Sequence, residues 1–223
     1  MSPIDPTYEV EVYDIDLFDS TPGIIADLRA RGRRVICYCN LGAWEDWRPD
    51  AARFPREIIG MPYHGFPDEN WLDIRAINIL LPIIRSRLDM AVNKGCDAVE
   101  PDNVNGYDTM THEPSGFPLT YMDQLIYNRL IAAEAHRRGL AVGLKNDLPQ
   151  VRDLVDDFDF AVNEQCFEFE ECEYLLPFIE NGKPVFHTEY ALPLASFCPM
   201  ARTYRFSSIK KTDALNAVRE LCP

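Results

Sequence analysis

Carboxylates gather in this chain at the ends of short apolar runs, and that placement is its first chemical signal. Asp14-Ile15-Asp16, Glu100-Pro101-Asp102-Asn103, Lys145-Asn146-Asp147, Asn163-Glu164-Gln165 and His187-Thr188-Glu189-Tyr190 each close a stretch of strand-forming residues. In extended chain, residues two apart share a face, which pairs Asp14 with Asp16 and Glu100 with Asp102. An isolated buried charge is too costly to keep, so carboxylates converging on one place imply partners, a metal ion or a catalytic pair. Metal ligation is the weaker option, because divalent sites combine His with carboxylates at tight spacing and His64, His112, His136 and His187 are scattered. A carboxyl pair is the stronger one. It suits hydrolysis of a glycosidic bond, where one group protonates the leaving oxygen and the other attacks or activates water across about 5–5.5 Å (retention) or about 6.5–9.5 Å (inversion). Lys145 and Asn146 lie where they would hold such carboxyls apart in proton affinity.

Trp44, Trp47, Trp71 and Tyr107 fall in or beside expected loops, a distribution suited to stacking on sugar rings; the alternative for each is packing a loop onto the protein body. Between Asp153 and Glu180 stand ten acidic residues and no Lys or Arg. This stretch is either a rim that attracts cationic polymer or a solvated helix face with its loop.

The elements that must position these groups alternate between β and α patterns, the sequence form of a parallel sheet wrapped by helices. Seven strands are expected, at Val10–Asp16, Arg33–Asn40, Ala98–Asn103, Ala141–Asp147, Phe158–Glu164, Pro184–Tyr190 and Tyr204–Ile209. Helices are expected after Ser20-Thr21-Pro22 up to Gly32, from Trp71 to Lys94 with a disturbance at Pro82, and from Thr120 to Arg138 with Gly139 as its stop. Shorter ones follow at Leu148–Asp156, Tyr174–Glu180, near Leu194–Ala201 and at Asp213–Leu221. Polar residues at the C-terminal ends of parallel strands are where α/β barrels carry their chemistry. Seven units are one short of an eightfold barrel, and the deficit falls at the start, where Met1–Glu9 is Pro-rich.

With 223 residues, 47% hydrophobic and 26% charged, the chain is large enough to bury one sizeable core, and residues 1–223 are expected to form a single domain. The longest apolar candidate, Ile77–Ile84, is interrupted by Asn78 and Pro82, so no membrane span is expected. A net charge of −14 repels phosphate backbones and attracts cations, which argues against nucleic acid as a partner. No GxGxxG or GxxxxGK[ST] stretch is present for nucleotide phosphates. Seven cysteines show no zinc-ribbon spacing; Cys166 and Cys172 are either a disulfide across a short loop or buried thiols, and the odd number leaves at least one thiol unpaired. The first 30 residues do not read as a signal peptide.

Taken together, Tyr13–Asp19, Val35–Tyr38, Trp44-Glu45-Asp46-Trp47-Arg48-Pro49-Asp50, Trp71–Arg75, Glu100–Asn103, Gly143–Asp147, Asn163–Cys166 and Glu189-Tyr190 resemble glycoside hydrolase family 114, which contains endo-α-1,4-polygalactosaminidases. The resemblance runs from about Pro3 to the C-terminus and implies a TIM-type (β/α)8 barrel. Family members carry a Trp- and Gln-containing first strand ahead of this segment, and the chain shows no equivalent. The resemblance implies a catalytic pair from the Glu-Pro-Asp-Asn and Asn-Glu-Gln-Cys motifs, here Asp102 as nucleophile and Glu164 as general acid/base of a retaining mechanism, with the roles exchangeable. It implies no metal and no organic cofactor. Asp16, Trp44, Glu100, Asn103, Tyr107, Lys145, Asn146, Asp147 and Glu189 are the expected substrate-binding residues. The implied partner is a cationic amino-sugar polysaccharide, bound by a monomer that is secreted or held at the cell surface. The other reading is a carbohydrate-binding barrel impaired in turnover, in which the absent strand misplaces Asp102 relative to Glu164.

Overall fold

The computed structural model describes residues 4–107, 114–212 and 217–222. His112 and residues 213–216 of the expected last helix lie outside the described residues. The fold is mixed α/β, its parallel strands alternating with helices, and the chain divides into two units, Val10–Val142 and Gly143–Pro223 with Met1–Glu9.

The first unit contains β1 (Val12–Asp16), α1 (Pro22–Ala30), β2 (Arg34–Asn40), β3 (Ala43–Glu45), β4 (Ile59–Tyr63), β5 (Phe66–Leu72), α2 (Ile77–Lys94), β6 (Ala98–Asp102) and α3 (Tyr121–His136). β2 runs parallel to β1 on one side and to β6 on the other, with Asn40 opposite Asp102. Its Val35, Ile36, Cys37 and Cys39 are all buried, the continuous apolar run of a strand covered on both faces. α1 starts at Thr21, whose hydroxyl accepts the Ile24 amide at 3.3 Å, with Pro22 in its first turn. α3 opens on a capping box between Thr120 and Asp123 and buries Leu125, Tyr127, Ile131, Ala132 and Ala135.

The second unit holds the end of β7 (Ala141–Lys145), α4 (Val151–Leu154), β8 (Phe160–Glu164), α5 (Leu176–Glu180), β9 (Val185–Glu189), α6 (Leu194–Tyr204), β10 (Ser207–Lys210) and β11 (Glu220–Leu221). β7, β8, β9 and β10 form a parallel ladder, and β11 adds antiparallel to β10. A Cβ on Gly143 would stand 2.2 Å from the Phe160 ring, so glycine lets that aromatic lie across β7.

All seven expected strands form, each within a few residues of its expected ends. Three readings change. Trp71 and Leu72 end β5, and the helix expected from Trp71 begins at Ile77. The segment before it is an antiparallel ribbon, β3-β5-β4, where loops were expected. Glu220 and Leu221, expected at the end of a helix, are extended beside Lys210 and Ile209. Among residues 4–11 no strand precedes β1.

The disulfide alternative for Cys166 and Cys172 is the one realised, and Cys37–Cys96 and Cys198–Cys222 are bonded as well. Cys39 is the unpaired thiol, buried and pushed up to about 12 by that burial.

Candidate active site

In the first unit the candidate chemistry sits where β2 and β6 end. Asp102 is the last residue of β6, and the Tyr38 hydroxyl donates to its Oδ2 at 2.9 Å. The chain then turns through Asn103, held at φ 57°, a left-handed conformation that Asn tolerates better than most residues. Two backbone amides, of Leu41 and Gly42, donate to the Asp102 carbonyl at 3.1 and 3.0 Å. Gly42 is required there, because a Cβ would fall 1.6 Å from the Asn103 carbonyl oxygen. α3 fastens the same corner: the Tyr127 hydroxyl donates to the Leu41 carbonyl at 2.5 Å and Asn128 Nδ2 to the Val104 carbonyl at 3.0 Å. From α2, Arg87 donates to the Asn40 carbonyl and, at 2.9 Å, to each oxygen of Asp50.

Beside this corner lies a buried ionic network. Arg48 donates to Asp16 Oδ1 and Oδ2 at 3.1 and 2.7 Å, and to Glu45 Oε2 at 2.8 Å. Asp16 Oδ1 also accepts the amides of Phe18 and Asp19, both at 2.8 Å. Asp16, expected to bind substrate, is engaged within its own unit: its side chain is 2% exposed and four donors surround it. Asp14, expected on the same face, is exposed. Glu69 on β5 accepts from Asn40 Nδ2 at 3.1 Å and Asn103 Nδ2 at 3.4 Å. Its burial, with the charges of Glu45 and Asp102 nearby, pushes its carboxyl up to about 7.

Glu100 and Asn103 are buried, and Tyr107 is half-buried with its ring edge-on to Tyr121 at 5.6 Å. Trp44 belongs to β3 and spends its indole N–H on the Ala51 carbonyl at 3.1 Å. Trp71 is buried against Tyr63, with ring centres 5.0 Å apart, so the packing alternative holds for it. Trp47 is exposed.

In the second unit Glu164 ends β8 and is 29% exposed at its side chain. The Tyr190 hydroxyl donates to Oε1, and Lys145 Nζ lies 3.3 Å from Oε2. The Glu164 amide donates to Asn146 Oδ1 at 3.0 Å, and Asn163 Nδ2 donates to the same oxygen at 3.1 Å. Asn146 at φ 50°, Asp147 at φ 43° and Gln165 at φ 65° repeat the left-handed turn seen after Asp102. Three of the strand ends that carry candidate residues thus share one uncommon backbone turn, the kind of strain that concentrates at functional sites.

Glu189, buried at the end of β9, accepts on Oε1 from the Phe167 amide at 2.9 Å and lies 3.0 Å from His187 Nε2. His187 Nδ1 is 3.0 Å from the Ser208 hydroxyl, and Phe167, Phe197 and Phe206 enclose the imidazole. Cys166, Cys172 and His187 bring ligand-type atoms within 4.8 Å of one another, but the two sulfurs are bonded to each other and offer no thiolate to a metal.

The chain matches the model of Glycoside-hydrolase family GH114 over residues 1–223. It belongs to that family. As a GH114 member it is a glycoside hydrolase, as the resemblance in its motifs implies. It is similar to Ega3 of Aspergillus fumigatus, solved in complex with galactosamine, at 36% identity and a TM-score of 0.92, over 99% of this chain and 91% of that one. The glycoside hydrolase domain of PelA from Pseudomonas aeruginosa shares the fold at 13% identity and a TM-score of 0.71, over 95% and 90% of the two chains. No curated protein sequence matches.

Tyr38, Glu69 and Tyr190 are absent from the expected site residues of this GH114 chain, yet they contact them. Tyr190 closes an expected strand and Tyr38 lies two residues before the end of another, so both are close to the strand ends where polar residues signal chemistry. Glu69 has no such signal, because the ribbon that carries it reads as a loop.

Proposed function

We propose that this GH114 enzyme cleaves α-1,4-linked galactosamine polymer internally, by a retaining mechanism with Asp102 as nucleophile and Glu164 as general acid/base. The observation that carries this reading is the likeness to Ega3, bound to galactosamine, over nearly the whole of both chains. The Glu-Pro-Asp-Asn and Asn-Glu-Gln-Cys motifs add to it, each with its carboxylate at a strand end and a tyrosine hydroxyl donating to it.

The residues divide the work as follows. The Tyr38 hydrogen bond orients Asp102 for attack on the anomeric carbon. Glu164 protonates the leaving oxygen and then takes a proton from the incoming water; Lys145 and Tyr190 hold its two oxygens in place. Glu100, Asn103, Tyr107, Asn146, Asp147 and Glu189 bind sugar hydroxyls or ammonium groups, and Trp44 offers a ring face. No metal or organic cofactor takes part.

In this reading residues 1–223 form a single catalytic domain, a (β/α)8 barrel, and the chain acts as a monomer. Three disulfides support an extracellular working place, where thiols stay oxidised. The −14 charge suits a polyammonium substrate. The test is reducing-end release from α-1,4-galactosamine polymer, with anomer-resolved NMR of the first products. Products of the same anomeric form as the cleaved bond support retention; inverted products overturn it.

A further inference from the structure

Glu69 faces its neighbours in an unusual way. In the β3–β5 register it stands directly opposite Glu45, a like-charge pair that is unfavourable when both ionise. Glu45 resolves its side by binding Arg48 through both oxygens, 2.7 and 2.8 Å away. Glu69, itself buried, accepts instead from two neutral amides, those of Asn40 and Asn103. Both flank Asp102: Asn40 sits across from it in the β2–β6 register, and Asn103 follows it in the left-handed turn. Asn40 is in turn tied to the corner, its Oδ1 accepting the Ala43 amide at 2.7 Å.

We propose that Glu69 is a positioning residue for Asp102, holding the two amides that flank it and, through its own charge state, setting the alkaline limit of turnover. The inference rests on the catalytic reading of Asp102 given above. The charged groups facing Glu69 are Glu45 from β3, Arg48 from the turn beyond it, and Asp102 from β6. With its carboxyl pushed up to about 7, Glu69 is neutral in mildly acidic solution and leaves Asp102 undisturbed on Tyr38. Ionised, it sets another negative charge beside Asp102 and Glu45, and mutual repulsion drives the Asp102 carboxylate off its seat.

The experiment is the kcat/KM profile from about pH 5 to about pH 9 for the parent, Glu69→Gln and Glu69→Ala. Gln keeps an oxygen for both amides and cannot ionise. Its rate at the acidic end should stay within about threefold of the parent, and its alkaline fall should move up by about one pH unit. Ala releases both amides and should lose about 10²-fold at every pH. A Gln profile that superposes on the parent's, or a folded Gln variant inactive throughout, overturns the proposal. Infrared difference spectra give a readout independent of catalysis. A protonated-carboxyl band that titrates near neutral pH should vanish in Glu69→Gln, and its midpoint should fall by about one pH unit in Asp102→Asn, where the neighbouring charge is gone. An unmoved midpoint overturns the coupling even if Asp102 is catalytic; a moved midpoint with normal Asp102→Asn turnover overturns the catalytic reading and leaves the coupling standing.

Discussion

Asp16 and Glu164 are both carboxylates at the end of a parallel strand, one in each unit, and the structure employs them differently. Asp16 is sealed from solvent, gripped by both terminal nitrogens of Arg48 and by two backbone amides. Glu164 keeps nearly a third of its side chain open, with a lysine and a tyrosine hydroxyl as partners. Position at a strand end does not by itself make a carboxylate chemical. A saturated one holds the fold, because removing any partner leaves a buried charge uncompensated. An open one with a neighbouring cation and a donor can change protonation during a reaction cycle. The same contrast separates Glu134 from Glu69. Three guanidiniums, from Arg85, Arg138 and Arg137, hold Glu134 down to about 2, whereas burial and two like charges hold Glu69 up at about 7.

The sharpest way to break the contrast is at the open carboxylates. Asp102→Asn and Glu164→Gln keep shape while removing a nucleophile or a proton donor, and each should cost about 10²–10⁴-fold in kcat with the melting temperature little changed. A near-normal rate in either would remove that residue from the mechanism.

At the sealed carboxylate the loss should fall on stability instead. Arg48→Met strands Asp16 and Glu45, and denaturant titration should show about 3–5 kcal/mol of destabilisation. Lys145→Met, made beside the open Glu164, should lower kcat while costing markedly less stability. Equal destabilisation by the two would erase the distinction.

pH separates the remaining pair with opposite signs. Glu134 is depressed in the folded state, so its contribution, up to about 3 kcal/mol, is present above the unfolded carboxylate range and lost as pH falls toward about 2. Glu69 is raised, so its contribution is full below the unfolded range and lost as pH climbs through about 7. Glu134→Gln should therefore destabilise near neutral pH and matter little in strong acid. Glu69→Gln should gain about 1–3 kcal/mol over the parent at about pH 8 and little at about pH 5. Thermal melts at a series of pH values read both.

The smallest effect belongs to the surface. Replacing Glu168, Glu170 and Glu171 together with Gln should raise KM a few-fold at low salt and leave it unchanged at high salt, where long-range attraction is screened. An unchanged KM at low salt makes the acidic stretch a solvated face.

What the sequence told depended on whether the signal was local. β2 was legible at Arg33–Asn40 because a buried parallel strand is an unbroken apolar run, and α3 at Thr120–Arg138 because cap, periodicity and Gly139 agree. The ribbon carrying Glu69 was not, since His64-Gly65-Phe66-Pro67-Asp68-Glu69-Asn70 has the polar, Gly- and Pro-containing composition of a turn, and only pairing with β3 and β4 makes it a strand. Glu220 and Leu221 were likewise misread, their extended form coming from β10. Cys166–Cys172 was visible as an alternative from spacing; Cys37–Cys96 and Cys198–Cys222 join distant segments, whose pairing composition does not encode. Asp16 stands at its expected strand end, but its pairing with Arg48, 32 residues away, is not written in the strand's own residues.

The most direct test of the central claim is reducing-end release from α-1,4-galactosamine polymer by the 223-residue chain, run beside its Asp102→Asn variant. Release by the parent and none by the folded variant is the predicted result. Equal release by both, or none by the parent while another amino-sugar polymer is cleaved, would contradict it.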